Sequence, residues 1–173
     1  MSETTEAESV EGLCSACGMC CDGVLFHSVR LQQGDSPRQL SALGLKIRKQ
    51  KGVEYFLQPC SAHREVEGKC SCVIYEDRPV RCRAFDCQQL RGVLAGDITQ
   101  EVALVKIREA REKVALVHSL MAQISETNPN RSLAHRVANA LTLPKDGVPS
   151  PQHDELKVAM EHLESFLVKE FRV

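Results

Sequence analysis

The chain has 173 residues, a formal net charge of −1, five Phe, two Tyr and no Trp. That balance gives no electrostatic case for a nucleic-acid or anionic-membrane partner, and it withholds the stacking residues a single-strand binder uses. No stretch approaches the ~18 consecutive apolar residues of a membrane span, and the length suits one ordinary domain.

Met1 to Gly12 carries four Glu and little to bury, so residues 1–11 read as a disordered acidic leader. This stretch has neither the basic nor the apolar region of a secretory signal. Nine cysteines without an export signal point to a reducing, cytoplasmic setting, where thiols serve metals more often than disulfides. An odd count also leaves one thiol over under any pairing.

Four of the nine fall in eight residues, Cys14-Ser-Ala-Cys17-Gly-Met-Cys20-Cys21. Two-residue gaps between Cys14, Cys17 and Cys20 let one backbone turn aim successive sulfurs at a common metal, with Gly18 supplying a permissive φ. The triad also reproduces the C-x2-C-x2-C spacing that holds three irons of a 4Fe-4S cluster. The fourth ligand then comes from far along the chain, with Cys60, Cys82 and Cys87 as candidates. Cys21 starts out in another direction, so the vicinal pair suits two neighbouring metal centres. Inert buried cysteines would be scattered, not packed four in eight.

Val24–Val29 reads as a short strand and residues 32–35 as a turn. Ser36-Pro37 opens a helix carrying Leu40, Leu43, Leu45 and Ile47, ended by Lys51-Gly52. A second strand, Val53–Leu57, leads into Pro59-Cys60. The second thiol-rich block is Cys60, Cys70, Cys72, Cys82 and Cys87. Gly68-Lys69 marks a hairpin-like turn and Val73–Tyr75 an extended run. Asp77 is the expected N-cap of a short helix with Pro79 in its first turn and Cys82 on it. Cys87 lies about 140° round an ideal helix from Cys82, so one metal takes both only if the helix breaks between them.

Closed zinc sites need four sulfurs at about 2.3 Å, and eight of the nine cysteines would fill two. Arg78, Arg81, Arg83 and Arg91, with only Asp86 as counter-charge among residues 78–91, are placed to donate to thiolates from outside the ligand set. The bland alternative is a solvated basic patch. His63, between Cys60 and Cys70, could replace a sulfur. His27, His118, His135, His153 and His162 lack ligand spacing. The sequence holds no phosphate-cradling loop, H-E-x-x-H or nucleophile motif, which leaves a cysteine nucleophile paired with a histidine as the weaker alternative.

From Thr99 the pattern turns helical. Asp97 or Thr99 caps a helix to about Ser125, with Ile107, Ala110, Val114, Val117, Met121 and Ile124 as its seam, Leu116 and Leu120 widening it, and Glu109–Lys113 paired on the solvent side. Asn128-Pro129-Asn130 breaks the chain before a shorter helix on Leu133, Val137, Ala140 and Leu141. A linker from Leu143 to Ser150 precedes a last helix, started by Ser150-Pro151, that buries Leu156, Ala159, Met160, Leu163, Phe166, Leu167 and Phe171.

Cys14-x2-Cys17-Gly-x-Cys20-Cys21, then Cys60, then Cys72-x-Ile-Tyr-Glu-x-Arg-Pro-x2-Cys82-Arg-x-Phe with a trailing Cys87, closely resembles the bacterial cysteine-cluster family named for its CxxCxxCC motif. That family is described as a zinc- or iron-chelating domain, and a related domain occurs in flagellin lysine N-methylase. The resemblance covers roughly residues 12 to 91. It implies Cys14, Cys17, Cys20, Cys21, Cys60, Cys72, Cys82 and Cys87 as the chelating set and leaves Cys70 as the spare thiol. The expected fold is α+β, mostly α: a cysteine-rich, metal-stabilised module with short strands over residues 12–91, and C-terminal amphipathic helices over 97–173 packed on it in one compact unit. The expected function is binding of zinc or iron, structural or redox-active, in two centres. One alternative, implied by the resemblance alone, is a methylase-like enzyme, against which the chain lacks a glycine motif for S-adenosylmethionine. Another is an adaptor whose metal folds a surface for a protein partner.

Overall fold

A computed structural model describes residues 12–124, 128–142 and 150–173. About 50% of the described residues are helical and the strands are short and antiparallel, an α+β fold that is mostly α. The described residues up to Asp86, with Asn130–Ser132, form one compact unit. Those from Cys87 to Pro129 and from Leu133 onward form a second. Apart from Gly12, the expected acidic leader lies outside the described residues, as does the linker before Ser150.

The first unit opens with a helical turn, α1, over residues 12–17. Gly18 ends it: its N–H still reaches Cys14 O at 3.0 Å, while its φ of 64° turns the chain out of the helix. Strand β1 is Ser28–Arg30, shorter than the run expected from Val24. Val24 N–H bonds Asp22 Oδ1 and Leu25 N–H bonds Met19 O, so this stretch curls back instead of joining a ladder. Val24 and Leu25 are both buried although adjacent, which no two-faced strand allows.

Helix α2, Pro37–Ala42, begins as expected, with Ser36 Oγ accepting the Gln39 N–H. It stops well before Lys51-Gly52. Leu45 N–H bonds Leu40 O, Gly44 N–H bonds Ser41 O, and Gly44 sits at φ 95°, the paired bonds of a Schellman ending. Leu40 and Leu45 are then held together in the core. Ile47, expected on that helix, instead opens β2 (Ile47–Gln50), and Lys51-Gly52 becomes the two-residue turn into β3 (Val53–Leu57). The sheet order is β1-β3-β2, with Val29 and Ile47 both opposite Phe56.

A separate hairpin pairs β4 (His63–Val66) with β5 (Lys69–Cys72). Glu67 and Gly68, at φ 52° and 73°, form its two-residue turn, whose twist matches the strands. The strand therefore lies before Val73–Tyr75, which turn instead of extending. Helix α3 is Val80–Ala84, capped by Pro79 and not by Asp77. Val29, Leu40, Leu45, Phe56, Ala62 and Ile74 form the unit's core.

The second unit contains α4 (Gln88–Leu94), α5 (Gln100–Gln123), α6 (Leu133–Ala140) and α7 (Pro151–Glu170). Thr99 caps α5 through its side chain, and Ile107, Ala110, Val114, Val117, Leu120 and Met121 are buried along it. Leu116 is 53% exposed, so the buried stripe is narrower there than expected. The Glu109–Lys113 pair closes at 3.9 Å. On α7 the capping box joins Ser150 and His153, and Leu156, Ala159, Leu163 and Leu167 are buried, with Phe171 after it. Met160 and Phe166 are half-buried. No helix among the described residues is long and apolar enough to cross a membrane.

Candidate metal centre

Backbone hydrogen bonds join the two cysteine blocks. After α1 the chain makes a tight turn in which the N–H groups of Cys21 and Asp22 both reach Gly18 O, at 2.9 and 3.1 Å. Cys60 N–H donates to Cys21 O at 2.7 Å, and Gln58 Nε2 donates to Cys20 O at 3.2 Å. Gly23, at φ 91°, makes this approach sterically allowed. A Cβ there would stand 3.0 Å from Ser132 Cα and 3.4 Å from Pro59 N.

Each remaining thiol of the group arrives on its own element. Cys72 ends β5, opposite His63. Cys82 lies on α3, which Asp35 anchors: one carboxylate oxygen takes the Val80 N–H at 2.8 Å and the other the Gln32 N–H at 2.7 Å. Phe26 and Phe85 meet edge-on at 4.9 Å, tying the end of α3 to the loop that follows the first block. Cys60, Cys72 and Cys82 all pack, partly buried, on the same apolar core.

Electrostatics bring in the fourth member, Cys21. Burial pushes its thiol well above the ordinary range, and the neighbouring charges of Cys60, Cys82, Cys72 and then Asp22 push it further. Burial likewise raises the Cys82 thiol, from 9.0 to about 12, with Cys60 and Cys72 adding to it and Arg78 opposing. Cys60 is raised by burial first and by Cys72. It is opposed by the backbone N–H groups of Ala62 and His63 and by the charge of Arg64. Cys21, Cys60 and Cys82 thus lie where a lone thiolate is unfavourable, and the charge of Cys72 reaches all three.

Through residues 13–116 the sequence matches a family model, CxxCxxCC, whose description reads "Putative zinc- or iron-chelating domain". The chain belongs to the CxxCxxCC family. No curated protein and no solved structure matched it. The match runs past both cysteine blocks into α5, further than the motifs alone suggest.

The donor set suits the metals of the CxxCxxCC description: four sulfurs, no oxygen, partly buried, with backbone N–H groups aimed at one of them. Among the described residues, no three His, Cys, Asp or Glu side chains are drawn together as tightly as a bound ion requires. Sulfurs around tetrahedral zinc stand about 3.8 Å apart at a bond length of about 2.3 Å, whereas charges act on one another over longer distances.

Other expected residues are placed as follows. In the CxxCxxCC block, Cys14 is exposed, Cys17 buried and Cys20 half-buried. The helix does break after Cys82, and Cys87 becomes the N-cap of α4, in the second unit. Cys70 is buried on the hairpin, two residues before Cys72. Of the four arginines singled out, Arg78 acts on Cys82, while it also bonds Tyr75 O and stacks 3.6 Å over the Tyr75 ring. Arg81, Arg83 and Arg91 are exposed. Sequence reasoning missed Arg64, whose guanidinium is held by Ser61 O and His63 O beside Cys60, and Asp35, whose link to α3 spans 45 residues.

Proposed function

We propose that this protein chelates one zinc or iron ion through Cys21, Cys60, Cys72 and Cys82, and that the ion fixes the fold of the first unit. The observation that carries this reading is the packing of Cys60, Cys72 and Cys82 on one apolar core with Cys21 bonded through its carbonyl to the Cys60 N–H, and the electrostatic effect of those three thiols on Cys21 supports it. Once bound, a divalent ion supplies the positive charge that lets neighbouring buried thiols ionise. The protein's part is to deliver the sulfurs: the turn after Gly18 presents Cys21, the stretch before β4 presents Cys60, β5 presents Cys72, and α3 presents Cys82. A closed four-sulfur set of this kind has no open coordination position, which favours a structural role, or electron transfer if the metal is iron.

Cys14, Cys17 and Cys20 we assign to a second centre, for which their spacing suits either zinc or an iron–sulfur cluster. The test is metal content and the ultraviolet–visible spectrum of protein purified without oxygen, for wild type, Cys60→Ser, Cys82→Ser and Cys17→Ser. Loss of one ion with Cys60→Ser and Cys82→Ser, and of a different one with Cys17→Ser, is the expected result. Equal metal content in all four proteins would overturn the reading. A brown protein bleached by dithionite would place iron in at least one centre, and a colourless one with two zinc ions would place zinc in both.

A further inference from the structure

His63 opens β4 and stands opposite Cys72. Val73 N–H donates to Ala62 O at 3.0 Å, which extends the ladder by one bond and leaves the next pair, His63 and Cys72, at a non-hydrogen-bonded position. At such positions directly opposed side chains stand closest, with Cβ atoms about 4.5–5.5 Å apart. Burial alternates along β5, exposed at Lys69 and Ser71 and covered at Cys70 and Cys72, so the face that Cys72 shares with His63 is the inner one. The His63 backbone N–H also donates to Cys60 O at 3.1 Å, holding the residue against a second thiol of the group. Its ring nitrogen Nε2 is buried and has no hydrogen-bond partner in the structure.

A buried imidazole nitrogen without a partner is unfavourable, and the neighbouring thiols explain what it is for. As a thiol, sulfur is a weak acceptor. As a metal-bound thiolate it carries charge and accepts strongly. Four thiols already complete a tetrahedral set, so the ring is left to donate rather than to ligate. We propose that His63 completes the centre as a positioning residue, its Nε2–H donating to a metal-bound thiolate, with Cys72 Sγ the acceptor that strand register favours. This inference rests on the four-thiolate reading of Cys21, Cys60, Cys72 and Cys82. It adds a fifth residue that the cysteine motif does not contain.

The test uses the full-length protein loaded with cobalt(II) as a spectroscopic substitute, with zinc affinity measured by chelator competition. Wild type should show the ligand-field bands of four thiolates. His63→Leu should keep that spectrum and one ion at this centre while losing about 10–100-fold in affinity, the usual effect of removing an outer hydrogen-bond partner. His63→Gln, which can place an amide N–H near the same point, should recover most of the loss. In 15N-histidine spectra of the zinc-loaded wild type, Nε2 should carry a proton. Affinity unchanged in His63→Leu would overturn the inference, as would a wild-type spectrum of three thiolates and one nitrogen, or an unprotonated, metal-bound Nε2. Should His63→Leu fail to fold, the wild-type spectrum and the Nε2 protonation state still decide between donor and ligand. A wild type whose metal content is unaffected by Cys60→Ser and Cys82→Ser would instead refute the four-thiolate centre itself, and this inference with it.

Discussion

Asp35→Ala tests how the centre is assembled without touching a thiol. Asp35 holds the start of α3 through its side chain: that helix has five residues, and its N-cap, Pro79, makes no side-chain bond. Asp35 spans from the Gln32–Asp35 turn to Val80, so its loss unties a connection across 45 residues. A net hydrogen bond to a charged group contributes about 1.5–3 kcal/mol. Water can replace the bond to Gln32 on this partly exposed turn, whereas the bond to Val80 also provides the helix cap, itself worth roughly 0.5–2 kcal/mol. The expected loss is therefore about 3 kcal/mol, or roughly two orders of magnitude in the folding equilibrium. Urea unfolding of metal-loaded protein reads the stability, and chelator competition reads the metal affinity, which should fall in parallel because α3 carries Cys82. Asp35→Asn, keeping one acceptor oxygen, should lose about half as much. A change below about 0.5 kcal/mol in Asp35→Ala, the range of featureless surface substitutions, would refute the reasoning.

Chelation should abolish hydrogen-exchange protection in β1–β5 while the amides of α5 and α7 keep theirs; unchanged exchange in the strands after complete metal removal would show that the core of six buried residues suffices. Cys70→Ser should retain full metal content and Cys72→Ser should lose one ion, because Cys72 belongs to the coupled group; equal loss would make Cys70 a ligand. Zinc uptake at pH 7 by metal-free Cys17→Ser, in which the second centre is disabled, should release about four protons, one per thiol of this centre, since each ligand binds as thiolate. The sign for the metal-free chain follows from Cys82: its pKa in the fold is raised from 9.0 to about 12, so its contribution to stability is full below pH 9 and is lost as pH rises towards 12. Metal-loaded protein, with its thiolates already formed, should not show that alkaline loss, and fewer than two protons released on loading would contradict the four-thiol set.

Local signals were legible in the sequence, and long-range ones were not. Ser36-Pro37, Thr99 and Ser150-Pro151 mark helix starts because a cap involves only the next three residues. The end of α2 was equally local, yet the apolar spacing through Ile47 outweighed Gly44, whose φ of 95° decides it. The narrowing of the α5 stripe at Leu116 depends on which neighbours cover the helix, and its own period cannot report that. The anchoring of α3 by Asp35 leaves no mark near Asp77, where the cap was expected, because its donor and acceptor are 45 residues apart. Cys21's particular partners emerge only once Cys60 N–H is bonded to Cys21 O.

The elements that carry Cys72 and Cys82 are those least able to stand alone. A two-stranded hairpin is marginal in water, and a five-residue helix falls far below the length at which isolated helices persist. Both rest on an apolar core whose large members are Val29, Leu40, Leu45, Phe56 and Ile74, beside thiols that are only partly buried. Such thiols add little as apolar surface, and they repel one another as soon as they ionise. An ion bound by all four reverses both effects. It turns the mutual repulsion into a shared attraction, and it cross-links a loop, a hairpin and a helix that short-range propensity would leave apart. The same property that raises the thiol pKa values, convergence of several sulfurs in a half-buried place, is therefore what would make the unit's fold depend on metal under the proposed four-thiolate reading.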